Sequence, residues 1–371
     1  MNQNLKLGTT EAISIMLIVP FAHLLVTLPK LLLQDQGSGS ILNIIYITIL
    51  ALFSVFILTL LYKNFKGKDI LDVSNYLLGK PFMYIIGLVY ISYFIFVASL
   101  TLRNAAENLK TIYFNNTPLP YIIFFLAICI GFINKYNIKS IIKTNLIILV
   151  IVIIALFTLS IFSINDLVPE RIYPILGDGI SNTFLHGINN IFIFTNIAFL
   201  FFLMPLLRNT SKFNKISYIS VLVSGLFILT TITSLLLMFP LEISSNSNSP
   251  IYLQSRQIVL GKFIQRIDAF YVLVWIITIL SYLSIIIGFI NLIFKKITNI
   301  QNRSTISYCF VLILFGLSLI YKNTIEVRKV DLGILKTSTL FIVFGVSFFI
   351  LIFGNIKKKL KGDNTKYEQN T

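Results

Sequence analysis

Long, nearly uncharged apolar runs recur from one end of this chain to the other, and they leave few folds open. Ten can be marked off, at residues 12–33, 41–62, 82–104, 119–134, 141–163, 184–207, 217–239, 269–294, 305–321 and 335–354. A run of about 18 apolar residues wound as a helix crosses the ~30 Å hydrocarbon core of a bilayer. Hydrocarbon offers no partner to an exposed peptide group, so a crossing segment must close its own hydrogen bonds. The expected fold is all-α: a polytopic membrane protein of about ten transmembrane helices, the fourth and ninth being the shortest. Of 371 residues, 12% are charged and 56% hydrophobic, against about 25% charged in soluble domains. The connections leave no room for a soluble catalytic domain.

The net charge is +16, but it does not form one patch. Lysine and arginine gather in alternate connections: Lys63, Lys66, Lys68 and Lys80; Lys135, Lys139 and Lys143; Arg208, Lys212 and Lys215; Lys295, Lys296 and Arg303; and Lys357, Lys358 and Lys359. By the positive-inside rule these face the cytoplasm, with both termini. Such spreading argues against nucleic acid as a partner and for the lipid bilayer. Cys129 and Cys309 lie within apolar runs and read as small core residues rather than a disulfide or metal pair. No nucleophile–base pair, metal cluster or phosphate loop is visible. The sequence therefore predicts no enzyme, no cofactor and no metal.

The first run is broken. It reads Ile-Met-Leu-Ile-Val-Pro20-Phe-Ala22-His23-Leu24-Leu-Val-Thr27-Leu-Pro29. Proline removes a donor and frees a carbonyl one turn back. A break at membrane depth persists where protein buries it or where it lines a cavity, as at transporter binding sites. The run carries no small-residue cleavage site and continues past Pro29 into Leu31-Leu32-Leu33, so it reads as a retained span.

Ten spans divide into two halves of five, 1–163 and 184–354, within one membrane domain over 1–371. An odd number per half forces opposite orientation, the inverted repeat of many transporters, in which spans one and six correspond. Span six is also interrupted, at Thr195-Asn196 and Pro205. Between the later spans, 240–268 forms an outer loop. Its segment Ile251 to Ile267 mixes Ile251, Leu253, Phe263 and Ile264 with Gln254, Arg256, Lys262 and Arg266. That pattern suits an interfacial helix, or one folded over the outer mouth. The stretch 357–371 is a basic cytoplasmic tail whose composition predicts disorder beyond Gly362.

Pro250-Ile-Tyr-Leu-Gln-Ser-Arg256, Gly261-Lys262-Phe263 and Gln265-Arg266-Ile-Asp268, running into Trp275, closely resemble the signature of the endospore germination permeases, the B subunits of nutrient germinant receptors. Arg103-Asn-Ala-Ala-Glu107 with Asn116-Thr117-Pro118, Pro174-Ile-Leu-Gly177-Asp-Gly179, and Thr27-Leu-Pro29-Lys30 are similar to other motifs of that family. The resemblance implies a fold of the amino acid–polyamine–organocation superfamily and a place in the spore inner membrane. It implies a larger A subunit and a C lipoprotein as partners. The ligand would be a small germinant, such as an amino acid, sensed rather than consumed. The chain departs from the family in having Phe21-Ala22-His23-Leu24 where a Gly-x-Gly is frequent, Lys262 in place of Glu, and no acid midway along span six.

The candidate ligand-binding set is Ala22, His23 and Leu24 on span one, Val97 on span three, Thr195, Asn196 and Phe199 on span six, and Thr278 and Ser281 on span eight. An ionisable residue such as His23 at the midplane marks a functional site by default. It fits either a ligand contact or a bond to a neighbouring helix carbonyl. Ala22 permits close approach where relatives have glycine. Val97 fits an apolar pocket wall or plain packing, and Thr27 fits a carbonyl freed by Pro29. Thr278 and Ser281 fit ligand contact or bonds to their own helix. Arg103 and Glu107, spaced i and i+4, read as a local ion pair. Function narrows to nutrient sensing, with a cation-coupled solute transporter as the alternative.

Overall fold

A computed structural model describes residues 6–258, 267–300 and 302–368. The described residues are helical apart from short connections and one isolated backbone bridge. Span one is Thr9–Val26, continued after a break by Leu28–Gln36. Spans two to five are Ser40–Tyr62, Lys80–Ile112, Leu119–Asn134 and Ile138–Phe162. Span six is a bent pair, Ser181–Phe194 and Ile197–Leu206, meeting at 42°. Spans seven to nine are Phe213–Met238, Ile267–Thr298 and Arg303–Ser318. Span ten, Thr324–Leu360, contains two wide π-helical stretches. Its last helix runs on to Glu368, past the point where composition predicted disorder. The fourth and ninth spans are the two short apolar helices, as their runs foretold. Arg266 and the Gly261-Lys262-Phe263 motif lie outside the described residues.

Spans one, three and eight are mostly buried, whereas spans two, five and ten turn long apolar stripes outward. Span one packs against spans five, seven and eight, and span three against spans eight, nine and four. Cys129 and Cys309, expected in the core, are exposed on spans four and nine. A sulfhydryl is apolar enough to face lipid as readily as protein.

At the face that carries the N-terminal segment, Leu7 pairs with the end of span six. Its amide donates to the Leu206 carbonyl at 2.8 Å, and its own carbonyl accepts from the Arg208 amide at 2.9 Å. Close by, Asp69 caps a short helix, Ile70–Leu78, accepting from the Asp72 amide at 2.9 Å. Lys296, at the end of span eight, then reaches both acids, Asp69 at 2.7 Å and Asp72 at 2.6 Å. Burial pushes the Asp69 carboxyl up to about 6, with the Lys296 charge pulling the other way.

At the opposite face, the helix Pro250–Gln257 turns Ile251, Gln254 and Ser255 inward. Gln254 donates to Ser163, which caps span five, at 2.9 Å and to Ser234 of span seven at 2.7 Å. This helix is thereby fastened across two span ends.

Replacing Lys296 by Met leaves a buried anion without its cation. A loss of about 1–3 kcal/mol at pH 7.5 is expected, read as a lower melting temperature in detergent. Asp69 is raised in the fold, so its ionised form weakens folding and protonation relieves it. Without Lys296 to hold it down the Asp69 carboxyl stands higher still, so part of the lost stability should return as the pH falls from 7.5 toward 6. A deficit that stays constant with pH would show that Asp69 is not its source.

Candidate functional site

Pro20 stands inside the first helix and lacks the amide that would bond the Met16 carbonyl one turn back. That carbonyl instead accepts from Asn196 Nδ2 of span six at 3.2 Å. With it satisfied, and with Ala22 at ease in a helix, the chain stays helical through Phe21, Ala22, His23 and Leu24. Within the stretch from Pro20 to Pro29, the break falls at Thr27 (φ −134°, ψ −26°). Pro29 sits in the first turn of the second helix, where its missing donor has no intrahelical partner to lose. The carbonyl one turn before Pro29, on Leu25, accepts from the Tyr271 hydroxyl of span eight at 3.4 Å. The next, on Val26, accepts from Asn108 Nδ2 of span three at 3.0 Å. Spans three, six and eight thus each send a side chain into the interrupted backbone of span one. The carbonyl role assigned to Thr27 belongs to Tyr271.

Beside the break lies a narrow cavity of about 20 Å³, lined by residues that include His23, Thr27, Thr101, Asn104, Thr195 and Asp331. That is room for about one water molecule. His23 Nε2 lies 2.9 Å from the Tyr282 hydroxyl of span eight, with the rings edge to face. The partner is therefore a side chain rather than a helix carbonyl. The Thr195 hydroxyl, at the bend of span six, is buried without a hydrogen-bond partner. Asp331, on a π-helical turn of span ten, is buried and accepts from Asn104 Nδ2 at 2.9 Å. Single π turns inside helices recur at functional sites.

The other candidates fall elsewhere. Ala22 and Leu24 are buried in helix packing, and Val97 sits one turn from the cavity, its carbonyl accepting from the Thr101 hydroxyl at 2.9 Å. Phe199 is clasped between the rings of Phe94 and Phe289, at 4.8 and 4.9 Å. The Thr278 hydroxyl bonds back to the Val274 carbonyl at 2.6 Å, and Ser281 donates to Asn145 of span five at 2.8 Å. Arg103 pairs with Glu107 at 2.7 Å and also donates to the Ser318 carbonyl. Pro118 precedes span four, and the Pro174 carbonyl accepts from Ser38 at 2.6 Å. Arg256 is exposed. Asp268 and Trp275 are buried.

Sequence reasoning missed Thr101, Asn104, Asn108, Tyr271, Tyr282 and Asp331. A signal was present for three of them. Thr101, Asn104 and Asn108 recur at steps of three and four, one polar stripe along an apolar helix. Among the described residues no group of three His, Cys, Asp or Glu could hold a metal. The arrangement can bind and orient a small polar molecule by hydrogen bonds and one carboxylate.

A family model described as spore germination protein matches residues 6–327. Spore germination protein A2 of Bacillus subtilis is 27% identical over 289 residues, covering 74% of this chain and 75% of its own length. Spore germination protein KB of the same organism is 22% identical over 221 residues, 58% of each chain. Among solved structures, a Na+-coupled sialic acid symporter in a substrate-bound, outward-open state matches 93% of this chain and 78% of its own. The TM-score is 0.64 at 10% identity. That likeness shows the fold, the inverted five-helix repeat with spans one and six broken.

Replacing Asn196 by Val orphans the Met16 carbonyl in an apolar interior. A loss of roughly 1 kcal/mol is expected, seen as a lower melting temperature. Thr278→Val removes a hydroxyl that bonds only its own helix and should be near neutral. Equal effects from the two would show that the Asn196 bond holds nothing together.

Proposed function

We propose that this chain, which belongs to the spore germination protein family, is the nutrient-sensing membrane subunit of a germinant receptor. One observation carries the reading. The break of span one adjoins a cavity toward which spans three, six and ten bring polar groups, including a buried Thr195 hydroxyl with no partner. An unsatisfied buried hydroxyl is costly, and a bound polar solute would supply what it lacks. The relatives' names tie the family to germination.

In this reading a small nutrient such as an amino acid enters the cavity and forces its walls apart, because about 20 Å³ cannot hold it. The nutrient then favours a wider state over the closed one and shifts their balance. A larger A subunit and a C lipoprotein would read that shift. The membrane would be the spore inner membrane, with both termini on the core side. The ligand would lie against His23, Thr101, Asn104 and Thr195, which line the cavity.

A second reading, cation-coupled solute transport, draws on Asp331. Spans one, six and eight carry no acid at mid-depth, but span ten places one at the cavity, and intramembrane acids serve proton relays in transporters. Purified chain in proteoliposomes separates the two. Uptake of labelled amino acids driven by an ion gradient supports transport, whereas binding without uptake supports sensing.

Thr195→Leu fills the cavity and removes its free hydroxyl. Spores carrying it should need about tenfold more nutrient for half-maximal germination. Ile147→Leu, on an exposed stretch of span five, should leave the response unchanged. An unaltered response in Thr195→Leu spores, with normal amounts of the protein, would place the binding site elsewhere.

A further inference from the structure

We propose that the cavity selects ligands bearing a positively charged amine, with Asp331 of span ten as the residue that receives it. The proposal rests on the small-molecule site described above and names the chemistry of its occupant.

Asp331 is 3% exposed and lines the cavity together with His23 and the Thr195 hydroxyl. Its Oδ2 accepts from Asn104 Nδ2 at 2.9 Å. Among the described residues no lysine or arginine forms an ion pair with it. Arg328 and Lys329, just before it on span ten, are exposed and make no ion pair with it. Lys336, five residues further on span ten, is bound to Asp35 at 3.0 Å, and Arg103 is bound to Glu107 at 2.7 Å. A buried carboxylate without a cation is expensive in an apolar interior. The amide of Asn104 orients this one but brings no compensating charge. A ligand ammonium would bring charge and donors together, and charge-assisted bonds of that kind are the stronger class. Thr195 supplies a second, independent polar group, buried and unpartnered at the same cavity. Sugars and 2-hydroxy acids could use the hydroxyls and amides here, but they would leave the Asp331 charge uncompensated.

The test uses the full chain purified in nanodiscs, with thermal shift and microscale binding as readouts. The probes are the common L-amino acids, the 2-hydroxy-acid counterpart of each one that binds, and a set of sugars and nucleosides. At least one amino acid should bind about 30-fold or more tightly than its hydroxy counterpart, from the usual weight of a buried charged contact. Asp331→Asn should remove most of that difference, and Thr195→Val should weaken amine and hydroxy ligands alike. If Asp331→Asn fails to fold, the wild-type comparison of each amino acid with its hydroxy counterpart still decides. Equal binding of the two overturns the amine preference while leaving the site in place, as does binding of a sugar or nucleoside that Asp331→Asn does not alter. Absence of binding by every probe overturns the small-molecule site itself, and the amine preference with it.

Discussion

The architecture turns on how one interrupted helix is kept intact in an apolar interior. Two prolines and one break strip span one of backbone partners around Met16, Leu25 and Val26. Each of these carbonyls is met by a side chain from elsewhere: Asn196, Tyr271 and Asn108. These three come from spans six, eight and three, so closing the backbone of one helix fixes the relative placement of four. In water such carbonyls would cost little. In an apolar interior meeting each one is worth roughly 1 kcal/mol, which makes those contacts the positioning bonds of the bundle. The cavity lies beside that break, with Thr27 in its lining.

Much of this was legible in the residues. The ten runs followed from the bilayer alone, and even the brevity of the fourth and ninth carried through to short helices. Thr195-Asn196 announced the bend of span six, since two polar residues in the middle of an apolar run need a reason. The first break was bracketed between Pro20 and Pro29, and it falls at Thr27. Pro20 itself leaves the helix intact, because its freed carbonyl is met by a residue 180 positions away, and no local pattern reveals that rescue. Asp331 was hidden for another reason. The charged stretch Glu326, Arg328, Lys329 reads as a loop, and the run after it starts at 335, so the acid seemed to lie outside the spans. The helix begins at Thr324 and carries it inward.

The hydroxyls show why residue type is a weaker guide than partner. Thr278, Ser281 and Thr195 look alike in sequence. The first is spent on its own helix and the second on Asn145, and only the third is left free beside a cavity. His23 likewise fitted either a ligand contact or a helix carbonyl, and within the protein it meets a phenol. Such distinctions depend on which helix faces which, a property of packing that spacing along one strand of chain does not encode.

The backbone pairing of Leu7 with the end of span six has its own consequence. The two helices that are broken at mid-depth are also laced together at one end, through a segment that precedes the first of them. Pulling the lower halves of spans one and six apart must first unzip that stitch, and reclosing must find it again. Any movement that separated these two ends would have to break both bonds together, so they hold the pair in one register.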